Sequence, residues 1–98
     1  MRVDNEVLYR WHQLDASQVL LAVADFAKKD ASFVPAKNAG TTRWHARVLQ
    51  SEFELLLTGP KFWDVRVSRG GGGAMDLVMH LNGCHFKHAA VILMERGL

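Results

Sequence analysis

The sequence predicts an α+β fold: a three-stranded antiparallel sheet with one N-terminal helix and two short C-terminal helices packed on its apolar face. Three observations lead there. Apolar and polar residues alternate three times in the middle of the chain, at 44–48, 53–57 and 63–67. Apolar residues recur at helical spacing before and after that stretch. Pro, Asn and Gly cluster between the periodic segments and read as turns. The 98 residues make one domain, 1–98, the natural reading, because a second core would not fit.

Residues 1–14 are mixed in polarity, with Val7, Leu8, Tyr9, Trp11 and Leu14 apolar, and read as a short helix or an arm lying on the body. Asp15 followed by Gln18 has the form of a capping box, and Leu14 with Val19 fits a hydrophobic staple. Val19, Leu20, Val23, Phe26 and Ala27 then share one helical face, which predicts a helix over about 16–29. The segment 33–40, with Pro35, Asn38 and Gly40, is a loop. Trp44, Ala46 and Val48 alternate with Arg43, His45 and Arg47, giving a strand with a buried face and a cationic face. Gln50-Ser51-Glu52 reverses the chain, and Phe53, Leu55 and Leu57 form the inner face of the return strand. Gly59-Pro60 ends it. Trp63, Val65 and Val67 give a third strand, completing a meander over 41–67. The glycines 70–73 read as flexible punctuation before a helix carrying Ala74, Leu77, Val78 and Leu81. Asn82-Gly83 stops that helix, and Phe86, Ala89, Ala90 and Leu93 make another.

Composition narrows the function classes. Hydrophobic residues are 49 % and charged residues 22 %, a globular balance that excludes disorder and collagen-like repeats. The net charge of +2 is compatible with an anionic partner without requiring one. A single cysteine, Cys84, excludes an internal disulfide framework and a zinc site built on several thiolates. No run of about 18 apolar residues could span a bilayer, and the acidic start does not read as a secretory signal, so no membrane partner and a cytoplasmic setting are expected.

Three constellations could carry chemistry. The glycine run before a helix N-terminus suits phosphate, but it lacks the ending of a P-loop, and Asp76 in the first turn opposes an anion. His80, Cys84, His85 and His88 crowd together, yet the helix break at Gly83 separates them, and surface histidines beside a buried cysteine are the simpler reading. Cys84 has no orienting group that would make it a nucleophile. The third constellation is cationic and aromatic: Lys37, Arg43, His45, Arg47, Lys61, Arg66 and Arg69, with Trp44, Phe62 and Trp63 interleaved. Lys and Arg neutralise phosphates while bases stack on exposed rings. Of the rings, only Phe62 falls on the basic side of the alternation.

The stretch Thr58-Gly59-Pro60-Lys61-Phe62-Trp63-Asp64, then Gly70–Gly73, Ala74-Met75-Asp76-Leu77-Val78-Met79-His80-Leu81 and Phe86–Leu93, resembles the CHC-type zinc-binding domain of bacterial primases. The resemblance is closest to the N-terminal segments of primase and topoisomerase-primase-like proteins of plasmids and integrating elements. It covers about the last 40 residues, with a fit in layout only over 41–57. Val65 and Ser68 stand where that family has paired cysteines, and its upstream Cys and His ligands have no counterpart, so zinc does not carry over. The resemblance implies single-stranded template binding, a role that would fall to Arg43, Arg47, Lys61, Arg66 and Arg69.

The expected function is therefore a non-enzymatic, single-stranded DNA-binding module linked to mobile-element replication, without cofactor, metal or catalytic residues. Its binding residues are expected to be Arg43, His45, Arg47, Lys61, Phe62, Arg66 and Arg69. The alternative is a protein-interaction or structural domain, such as a homodimer, using Met75, Met79, Val91 or Met94.

Overall fold

Asp4 starts the chain's first helix: its carboxylate accepts the Val7 N–H at 2.9 Å, and α1 (Asn5–Gln13) follows, burying Trp11. The structure, a computed structural model, describes residues 3–98; Met1 and Arg2, part of the segment read from the sequence as helix or arm, lie outside it. Asp15 caps α2 (Ala16–Val23) as anticipated, accepting the Ser17 N–H at 3.2 Å and its hydroxyl at 3.1 Å.

The fold class differs from expectation, because the described residues form a five-stranded sheet and four helices, two before the sheet's main hairpins and two after them. The first extra strand comes from the end of the expected helix 16–29. That helix stops at Val23, and β1 (Phe26–Lys29) pairs antiparallel with β2 (Thr42–Val48). Phe26 and Ala27 fit a helical stripe, yet they equally fit period two with Ala27 turned to the core. Hydrogen bonds from Asp25 N–H to Arg47 O (2.9 Å) and from Asp30 N–H to Arg43 O (2.8 Å) extend the ladder at both ends. Tertiary pairing outweighs local propensity here, and Lys28 and Lys29 on this outermost strand discourage further pairing.

The β2–β3 hairpin turns on Leu49-Gln50, one residue earlier than expected, with Val48 opposite Ser51 at the start of β3 (Ser51–Thr58). Gly59-Pro60 makes the next two-residue turn into β4 (Lys61–Asp64). That register sets Phe62 opposite Leu57 and Trp63 opposite Leu56, which inverts the expected faces. Phe62, only 6 % exposed, and Asp64 point into the core, whereas Trp63 is 45 % exposed on the outer face. The ladder ends at Asp64, and Val65 and Val67 are exposed in the turn 65–68 rather than buried in a strand.

The glycine run is no hinge. Residues Arg69–Gly72 form β5, the fifth strand, paired with β4. A Cβ on Gly71 would come within 2.9 Å of the Phe62 ring, and one on Gly70 within 2.8 Å of the Phe62 carbonyl oxygen. Glycine is what lets the edge strand close over Phe62. α3 (Ala74–Asn82) ends at Gly83 with φ 59, the left-handed C-cap expected, and α4 (Phe86–Glu95) packs against it. Strand order is β1-β2-β3-β4-β5, every pair antiparallel. The helices lie on one face, where Leu20, Leu55, Leu57, Leu77, Val78 and Leu93 form the core; the other face is open.

Candidate nucleic-acid interface

Alternation along β2 puts Arg43, His45 and Arg47 on the open face, as the sequence indicates, but β3 brings Glu52 and Glu54 beside them. Arg47 stands opposite Glu52 and His45 opposite Glu54. Arg43 meets Glu54 at 3.5 Å, Arg47 meets Glu52 at 3.9 Å, and the two His45 ring nitrogens reach Glu52 at 2.9 Å and Glu54 at 2.7 Å. Two guanidinium groups thus face two carboxylates. Such exposed pairs contribute only about 0–1 kcal/mol each to stability, but they cancel the local field that would attract phosphate. Arg47 also stacks over Phe26, 5.7 Å from the ring centre.

At the other end of the same face the charges are free. Trp63 lies against Leu56, and the segment Phe33–Asn38 folds over toward both, leaving a groove of about 630 Å³. Its walls include Val34, Pro35, Leu56 and Trp63, with Lys37 and Lys61 also lining it. Among the described residues, neither lysine has a carboxylate within ion-pair distance. The loop is tied at both ends. Asp30 accepts the Ser32 hydroxyl at 2.6 Å and its N–H at 2.9 Å, which holds the Asp30 carboxyl below its ordinary pKa, with Arg43 adding to the effect. Asn38 Oδ1 accepts the Gly40 N–H at 2.8 Å, and Thr41 and Thr58 hydroxyls meet at 2.7 Å.

The remaining residues selected from the sequence scatter. Arg66 donates to the Glu52 carbonyl at 3.0 Å from the turn after β4. Arg69 opposes Asp64 and lines a separate cavity of about 330 Å³ with Phe62, His80 and Cys84. Phe62, expected with a tryptophan as the alternative to stack on bases, is buried on the inner face of the sheet, so stacking on the outer face falls to Trp63. The five cations Arg43, Arg47, Lys61, Arg66 and Arg69 therefore do not form one patch with His45.

Beneath the sheet, Asp64, 2 % exposed, bonds His80 Nε2 at 2.6 Å, while its other oxygen accepts the Arg66 N–H at 3.0 Å. Phe53 and Phe62 flank the imidazole with ring centres 5.8 and 5.3 Å away. This pair ties α3 to β4. His85 and His88 are exposed and point to no shared centre with it, and among the described residues no group of three or more His, Cys, Asp or Glu is placed to hold a metal ion. Val65 and Ser68, in the turn 65–68, add no Cys or His to these residues. Burial pushes the Cys84 thiol above its ordinary pKa, which keeps it protonated and a poor nucleophile at neutral pH. At the N-terminus of α3 the Gly72 N–H already bonds Asp76, at 3.3 Å, so the protein's own carboxylate takes the place of a phosphate.

Known proteins bear on this arrangement only lightly. The chain matches no protein-family model, and no solved structure matches it. A curated relative, the "65 kDa protein" of Zymomonas mobilis subsp. mobilis, is 38 % identical over 47 residues. That match covers 48 % of this chain and 8 % of the relative's length. No helix among the described residues is long and apolar enough to cross a membrane.

The sequence sets Trp63 among the interleaved rings but on the buried side of the alternation, and Leu56 and the groove wall at Val34 and Pro35 lie outside its candidate residues. A signal was present: a Gly-Pro two-residue turn after Thr58 forces Lys61 opposite Thr58 and so turns Trp63 outward with Lys61. The Glu52 and Glu54 pairings follow from a two-residue turn at Leu49-Gln50, which carries no turn-forming residue to signal it.

Proposed function

We propose that the chain is a non-enzymatic nucleic-acid-binding module that holds a single strand across the open face of its sheet, at Trp63. The observation that carries this is a half-exposed indole on the helix-free face of the sheet, beside two lysines that have no acidic partner among the described residues. Single strands are bound by that combination, with bases on an aromatic ring and phosphates on cations, and sequence matters little. The likeness of residues 58–93 to primase zinc-binding domains supports the same reading and suggests a template strand in mobile-element replication. The cationic contribution moves from Arg43, His45 and Arg47 to Lys37 and Lys61. Fluorescence anisotropy with labelled oligonucleotides tests it. Trp63→Ala is expected to weaken single-strand binding by about 1–3 kcal/mol, roughly 5- to 150-fold, while Arg43→Ala changes it little. The reverse order of effects would place the interface on β2.

A second reading has its own observation. α4 leaves Phe86, Val91 and Met94 exposed, whereas Met75 and Met79 pack against the core. A second copy could cover that surface, and a concentration-dependent mass in light scattering without nucleic-acid affinity would favour it.

A further inference from the structure

We infer that the groove between Phe33–Asn38 and Trp63 is a pocket for one unstacked nucleobase, with Lys37 and Lys61 on the adjoining phosphates; this rests on the nucleic-acid reading above. Size and lining both point that way. About 630 Å³ lies in the range of small-ligand sites, ample for a base and its sugar. Val34, Pro35, Leu56 and Trp63 offer apolar contact on more than one side of a planar ring, and an indole gains most from another flat π-face. Asn38 is held by its oxygen, which accepts from Gly40, so its amide N–H groups remain for the acceptors of a base edge.

Charge selects among occupants. An apolar peptide would leave two ammonium groups unused, whereas a nucleotide brings a phosphodiester on each side of its base. The carboxylates of the same face, Glu52 and Glu54, are taken up by Arg43, His45 and Arg47 and do not offset the lysines. Duplex DNA keeps its bases stacked and paired, so a pocket of this kind accepts single strands and rejects duplex unless a base is extruded.

The test compares a short thymidine oligonucleotide, an abasic oligonucleotide of equal length and a duplex, each titrated against the full chain. Val34 is 82 % exposed, so Val34→Glu can block the groove without disturbing the core, and Ser51→Glu adds the same charge at the far end of β3. The pocket predicts that the abasic strand and Val34→Glu each lose about tenfold or more in affinity, that Ser51→Glu loses much less, and that duplex binds more weakly than thymidine. Equal binding of abasic and thymidine strands, with Val34→Glu silent, overturns the pocket and leaves a purely electrostatic face. No binding of any oligonucleotide at low salt overturns the nucleic-acid reading and the pocket with it.

Discussion

Leu49 takes a backbone conformation that its side chain resists. Its φ of 60 lies in the left-handed region, and the residue is 67 % exposed, so little burial compensates. The turn keeps it there because the Leu49 N–H bonds the Asp25 carboxylate at 2.7 Å, joining the β2–β3 turn to the end of α2. A left-handed L-residue costs about 1 kcal/mol, so Leu49→Gly is expected to stabilise the fold by up to about 1 kcal/mol, offset in part by the glycine's greater freedom when unfolded. Thermal unfolding checks this, with a rise of a few degrees expected and an unchanged or lower Tm contradicting it. No sequence rule places leucine at such a site, which is why the reversal was read one residue late. Asp15 and Gly83, by contrast, were legible because capping chemistry is local: a carboxylate meets the first free N–H groups, and glycine takes the left-handed position. The Asp64–His80 contact was hidden, since it joins residues 16 apart on two elements whose packing no local pattern reveals.

Elements failed or succeeded for the same reason. β2 and β3 were readable because their alternation is long and their inner faces are apolar. β5 was not, since Arg69-Gly70-Gly71-Gly72 has neither β propensity nor alternation. Its cause lies across the ladder, where Phe62 and Trp63 occupy the space that side chains on β5 would need. Gly70→Ala therefore sets a methyl group against the Phe62 carbonyl, a backbone atom that cannot rotate aside. Destabilisation of about 1–3 kcal/mol is expected, measured by denaturant unfolding, whereas a flexible linker at this position would gain stability from the same change. β1 was missed because four residues, Phe26–Lys29, satisfy helical and strand periods alike, and only pairing with Arg47–Trp44 decides between them.

At the scale of the whole molecule, the four helices of the described residues lie on one face of a five-stranded sheet, and the other carries only the segment Phe33–Asn38 at its Trp63 end. The candidate site was half legible. Composition and alternation placed cations on the outer face, but the sign of the local field depends on which acids pair across strands, and the aromatic platform depends on hairpin register. The open face divides into a balanced ladder around His45 and an uncompensated end at Trp63, Lys37 and Lys61. Of the three tryptophans, Trp11 and Trp44 are buried, so ligand-dependent emission reports on Trp63. The most direct measurement is tryptophan emission during titration with single-stranded DNA at low and moderate salt. Saturable quenching that weakens as salt rises and disappears in Trp63→Phe is the result predicted. Emission that stays unchanged at every salt concentration would contradict the central claim that this face holds a nucleic-acid strand.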